Sequence, residues 1–137
     1  MGIPSGISAR FYEKYTYDFS LLGGAVETIP LIGSDLPQNA IVYGGAYDLI
    51  TAFTSGASAY CSLELNIHND LVSSLIYSNA AWNTTGMHAI IPVMTAATAI
   101  KITTVSNRRP CLRITGGDAD IITAGKFNLF LVYLISD

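Results

Sequence analysis

The sequence predicts an all-β fold, a β-sandwich or jelly roll of about seven to nine short antiparallel strands with little helix. Three observations lead there. Apolar and polar residues alternate with a period of two through several segments, turn signals recur about every ten residues, and almost no stretch carries helical spacing. A chain of 137 residues is long enough for one hydrophobic core and short for two. Residues 1–14, rich in Gly, Pro and Ser at their start, read as an arm, and residues 15–137 as a single sandwich domain.

Along the chain, Tyr15, Tyr17, Phe19 and Leu21 alternate with Thr16, Asp18 and Ser20, which predicts a strand stopped by Gly23-Gly24. Its aromatic face fills the core or forms a surface that a partner covers, with core filling the preferred reading. Thr28 to Pro37 holds two prolines, a pattern of an edge strand or extended connector. Ala40 to Tyr43, Gly44-Gly45 and Ala46 to Thr54 read as a strand, a bulge or bend, and a second strand. The turn Ser55-Gly56-Ala57-Ser58 then returns the chain through Ala59 to His68 as a hairpin.

Asn69 or Asp70 followed by Leu71, Val72, Leu75 and Ile76 offers a helical cap and spacing, although a strand or irregular excursion is equally compatible. Asn83 to Gly86 is a turn, and Met87 to Ile91 a short strand closed by Pro92. Thr98 to Val105 and Pro110 to Thr115 read as two paired strands around a Ser106-Asn107-Arg108-Arg109 turn. In the final strand, Lys126 to Ile135, Phe127, Leu129, Leu131 and Tyr133 lie on one face. Phe130, Val132 and Leu134 lie on the other. A strand apolar on both faces needs cover on both sides.

Composition narrows the function. Apolar residues make up 50% of the chain and charged ones only 12%, which excludes disorder and leaves a surface short of charge. Residues 71–100 hold no Asp, Glu, Lys or Arg, yet their Asn, Pro, Gly, Ser and Thr suit neither a spanning helix nor any membrane role. Ten acidic against seven basic residues argue against a nucleic-acid partner. The amino terminus lacks the pattern of a secretory signal, and Pro4 fits poorly with myristoylation at Gly2. A protein surface is the partner that remains.

Chemistry is sparse, and no enzyme, metal or cofactor is expected. His68 and His88 lack metal-ligand spacing, and neither Cys61 nor Cys111 is flanked like a nucleophile. The two cysteines read as small buried hydrophobes in preference to a bridge. Asp118 and Asp120 read as turn formers, since calcium would need a longer ligand series. Arg108, Arg109 and Arg113 project toward an acidic partner or form a solvated loop. Trp82, with Tyr77 and Tyr60, is an interface anchor or a sugar-stacking platform. The candidate interface residues are therefore Tyr77, Trp82, Arg108, Arg109, Arg113, Phe130, Val132 and Leu134.

The stretch Asp35-Leu36-Pro37 and Val42 through Ser55 resembles small virion structural proteins of tailed bacteriophages. So do Ile91 through Lys101, Leu112-Arg113-Ile114 and Thr123-Ala124-Gly125-Lys126-Phe127. The resemblance covers roughly the last hundred residues and rests on turn-and-strand patterns, with no catalytic residues to carry over. It departs at Ser106 through Cys111, where a blander turn would be expected. It implies a capsid cement or decoration subunit, a homotrimer that binds the major capsid protein on the capsid exterior and is made in the host cytoplasm. The other implied role is a carbohydrate- or receptor-binding module of a tail or fibre.

Overall fold

The computed structural model describes residues 11–93, 97–102 and 109–136. They form two packed antiparallel sheets. Strands β1 (Phe11–Asp18), β9 (Ile122–Ile135), β3 (Ala40–Ser55) and β6 (Gly86–Ala89) lie in that order in the first sheet. Strand β7 (Ile100–Lys101) pairs with β3 beyond the end of β6. The second sheet runs β2 (Thr28–Pro30), β8 (Cys111–Thr115), β4 (Tyr60–Glu64) and β5 (Val72–Ile76). One-turn helices α1 (Phe19–Leu22) and α2 (Ala80–Asn83) complete the described residues. The all-β sandwich is the fold that the alternation predicts.

Several local expectations are corrected. The first strand begins at Phe11, within the stretch read as an arm, because β9 offers it a continuous ladder from Lys126 to Tyr133. It ends at Asp18, whose carboxylate caps α1 and turns Phe19 and Leu21 out of the strand. β3 and β4 are not a hairpin: β3 belongs to the first sheet and β4 to the second. β7 and β8 are likewise split between sheets, while residues 103–108, the expected turn between them, lie outside the described residues. Of the alternatives at Leu71 to Ile76, the structure has the strand, Val72–Ile76, and no helix. The expected edge strand is correct, since β2 borders the second sheet through Leu112 and its neighbours.

The register of β3 on β9 shifts between Val42 and Gly44, which places the expected bulge at the paired glycines. Gly45 sits at φ +143°, where L side chains are strained. A Cβ there would also run into the carbonyl oxygen of Phe130. Further shifts between Leu49 and Thr51 and between Thr51 and Thr54 turn Thr51 outward and Phe53 back into the core, although Tyr47, Leu49, Thr51 and Phe53 are spaced two apart.

Between the sheets, Tyr17, Tyr47, Phe53, Trp82 and Phe127 form an aromatic cluster surrounded by Leu31, Leu36, Leu63, Leu71 and Leu129. Tyr15 and Tyr17 are fully buried, so the aromatic face of β1 fills the core. The buried phenols of Tyr17 and Tyr47 are satisfied by donating to the carbonyls of Gly23 (2.6 Å) and Ala81 (2.8 Å).

Candidate assembly interface

Cross-strand partners share a sheet face, so the pairing fixes what the first sheet shows to the outside. Tyr12 lies opposite Val132, and Lys14 opposite Phe130. Phe130 is flanked on its other side by Ala46 and then Ala89, and Asn128 by Asp48 and then Met87. Leu134 continues the row beside Ile41. The outer face therefore carries apolar side chains on every strand from β1 to β6, set among Lys14, Thr16, Asn128, Asp48 and, beside Ile41, Lys101. Tyr12 is 67% exposed, Met87 64%, Ile50 44% and Phe130 39%, with Val132 and Leu134 half-buried at the centre. Exposed apolar side chains grouped on one face in this way suit a surface that meets a partner.

The outer face of the second sheet differs. Arg113 and Glu64 occupy it, with Arg113 Nε 3.9 Å from Glu64 Oε1 and His68 Nδ1 3.0 Å from the same oxygen. Its charges are matched within the chain. On the first sheet, Lys126 meets Asp18 at 3.9 Å, but Lys14 and Asp48 make no ion pair among the described residues.

Of the residues singled out from sequence, Phe130, Val132 and Leu134 come together on this face. Tyr77 is half-buried, packs against the core and donates its N–H to Ala59. Trp82 is a correction: it is fully buried, stacked on Tyr47 at 5.5 Å, with its indole N–H donated to the Cys61 carbonyl at 3.1 Å. It therefore presents neither an anchor nor a sugar platform. Arg109 pairs with Asp35 at 3.0 Å, Arg113 lies toward Glu64, and Arg108 is outside the described residues. Tyr12, Lys14, Asp48, Ile50 and Met87 were missed as surface residues. Only the pairing of β1 and β6 with the long strands brings them beside Phe130.

The remaining candidates for chemistry are structural. Cys61 and Cys111 are free, and burial pushes their thiols up to about 12 and about 11, so neither is a nucleophile near neutral pH. His88 hydrogen-bonds the Thr84 carbonyl at 2.6 Å and stacks on Tyr47. Among the described residues no group of three or more His, Cys, Asp or Glu could hold a metal. No helix among them is long and apolar enough to cross a membrane.

Asp120 acts as the expected turn former, accepting the N–H groups of Ser58 and Gly117 at 2.7 Å each. These bonds hold its carboxyl below the ordinary 3.8, as the Ser20 hydroxyl and N–H do for Asp18. A depressed carboxyl contributes stability above its unfolded value and loses it as pH falls through the folded one. Asp120→Ala is therefore expected to lower the urea midpoint at neutral pH, with the difference from the parent shrinking as pH drops below 3.8. A difference independent of pH would contradict this.

No protein-family model and no curated protein sequence matches the chain. Solved structures do. A chain of the cyanophage Pam1 capsid asymmetric unit superposes with a TM-score of 0.65 at 13% identity, covering 99% of this chain and 93% of that one. A chain of the acidic stable capsid of Helicobacter pylori bacteriophage KHP30 gives 0.58 at 14% identity, covering 96% and 92%. One from the capsid of Ralstonia phage GP4 gives 0.56 at 18% identity, covering 99% and 90%. The chain thus shares, over nearly its full length, a β-sandwich fold found in three phage capsids.

Proposed function

We propose that this chain is a virion structural protein of a tailed bacteriophage, a capsid cement or decoration subunit that trimerises and binds the major capsid protein on the head exterior. Its synthesis in the host cytoplasm belongs to the same reading. The observation that carries it is the near-complete match, in both directions, to chains of three phage capsids. The apolar outer face supplies the physical means. Burying Tyr12, Met87, Phe130 and their neighbours releases water without stripping solvent from many charges. The mechanism is adhesion, and no catalytic group takes part in it.

The test is to mix purified chain with phage heads that lack it, sediment the mixture, and follow head integrity on heating. Saturable co-sedimentation, a trimer mass by light scattering and heads that survive a higher temperature are expected. A chain that remains monomeric at micromolar concentration and leaves the heads unbound overturns the proposal.

A further inference from the structure

At the end of the sandwich where β3 begins and β4 stops, a groove of about 300 Å3 lies between residues 66–70 and 91–101. Buried Ile100 forms its floor, and Ile67 and Ile91, 69% and 37% exposed, form its rim. Both walls are tied before anything binds. Asp70 accepts the N–H groups of Leu65, Asn66 and Ile67 at 2.7, 2.8 and 3.0 Å. On the other side Ile91 donates its N–H to the Leu71 carbonyl at 2.8 Å, and Val93 donates to the Thr98 hydroxyl at 3.1 Å. A cleft already in its bound shape loses little binding energy to ordering.

The chemistry of the occupant follows from the lining. The Asp70 carboxylate is taken up by its own loop, whereas Lys101, also lining the groove, makes no ion pair among the described residues. A segment that suits this groove therefore carries a carboxylate beside an aliphatic side chain. Residues 1–10 hold Ile3 and Ile7 but no Asp or Glu, and would bring Arg10 toward Lys101.

Such a segment stands at the opposite end of the same chain. In the turn between β8 and β9, Asp118 is exposed and makes no ion pair among the described residues, and Ile121 is 40% exposed. The turn is fixed as firmly as the groove, by Asp120 on the N–H groups of Gly117 and Ser58 and by the Gly56 N–H on the Ile121 carbonyl at 3.0 Å. Strand β3 runs from one end to the other, with Ile41 opposite Lys101 and Ser55 opposite Ile122. At the rise of a strand that places the two sites roughly 40 Å apart.

We propose that the turn Asp118 to Ile121 of one copy docks in the groove of the next, with Asp118 against Lys101 and Ile121 among the isoleucines. This rests on the trimer reading and names the contact that makes the trimer. Two different surfaces meet, so the contact is head-to-tail, the class that closes into rings of three.

The test is the double variant Lys101→Cys/Asp118→Cys, mildly oxidised and run on a non-reducing gel. A disulfide needs Cα atoms within about 7 Å, so a bridge between opposite ends must join two copies. Covalent dimers and trimers are expected from the double variant and from neither single one, which also controls for Cys61 and Cys111. A second measurement is independent of thiols: Lys101→Asp or Asp118→Lys alone should weaken self-association about tenfold or more, and their combination should restore it. A double cysteine variant that melts like the parent yet gives no covalent oligomer overturns the inference, as does a charge exchange that restores nothing. A ladder of bands running past three overturns the closed ring. Heads decorated by strictly monomeric chain would overturn the inference and leave capsid binding standing. Cross-linked trimers that ignore the heads would support it and remove the capsid role.

Discussion

Replacing Trp82 by Ala is expected to remove about 3–5 kcal/mol of folding stability, a large part of the ~5–15 kcal/mol typical of a domain. The side chain is fully buried and touches three aromatic rings from two strands, β3 and β9, with centroids 5.5 Å from Tyr47, 5.0 Å from Phe53 and 6.0 Å from Phe127. It also spans the sandwich, since its indole N–H reaches the Cys61 carbonyl on the opposite sheet. Truncation opens a cavity where the sheets are held together and leaves that carbonyl without its donor. Trp82→Phe should fall between, losing the hydrogen bond but keeping most of the ring contact. Thermal denaturation measures both, with a drop of roughly 10 °C or more for the alanine variant. A drop of only a few degrees would show that the cluster is loosely packed.

Phe130→Asp should have the opposite profile. The residue lies on the outer face, so the folded monomer accepts a polar group there. The strand penalty is about 1 kcal/mol at most, and the melting temperature should change by only a few degrees. In an assembly the new carboxylate would be buried beside Ala46, Lys14 and Val132, with Asp48 close by and no added cation. Burying a carboxylate costs several kcal/mol even with Lys14 opposite it as a partner, and the apolar ring contact is lost as well, so self-association or head binding should weaken by roughly 100-fold or more. Sedimentation at matched concentrations of parent and variant measures this. Unchanged assembly by a well-folded variant would remove the outer face from the contact.

The strands were legible where burial alternates simply. Tyr15 and Tyr17, Tyr47 and Leu49, and Phe127, Leu129, Leu131 and Tyr133 all face the core as their spacing predicts. The two-faced character of the last strand was legible too, because Phe130, Val132 and Leu134 are apolar where a solvated face would be polar. Sheet membership was not. A four-residue turn such as Ser55 to Ser58 looks the same whether it folds a strand back on its neighbour or carries it to the other sheet. Only distant residues, β9 for β3 and β8 for β4, decide between these.

The helix expected at Leu71 has a sharper cause. Val72 pairs with Leu63 and Leu75 with Cys61, and the irregularity between Cys61 and Leu63 lets residues three apart point to one side. A bulged ladder thus copies the spacing of a helix. Trp82 was misread because its segment carries no charge and reads locally as a loop. Asn79 accepting the Ala81 N–H starts a single turn, and that turn swings the indole inward. Arg109 and Asp35 meet across the fold, a pairing with no local trace.

The pairing of the first strand with the last also sets an order in time. Phe11 meets Tyr133 and Asp18 meets Lys126, so β1 emerges early from the ribosome and must wait for β9 before it has a ladder to join. The apolar outer face is assembled from β1, β3, β6 and β9, and its central strand arrives last. A partly synthesised chain therefore lacks the finished adhesive surface, which delays docking until the sandwich closes. Until then Tyr15, Tyr17 and Phe53 are without their cover, making the interval before closure the period of greatest exposure to aggregation.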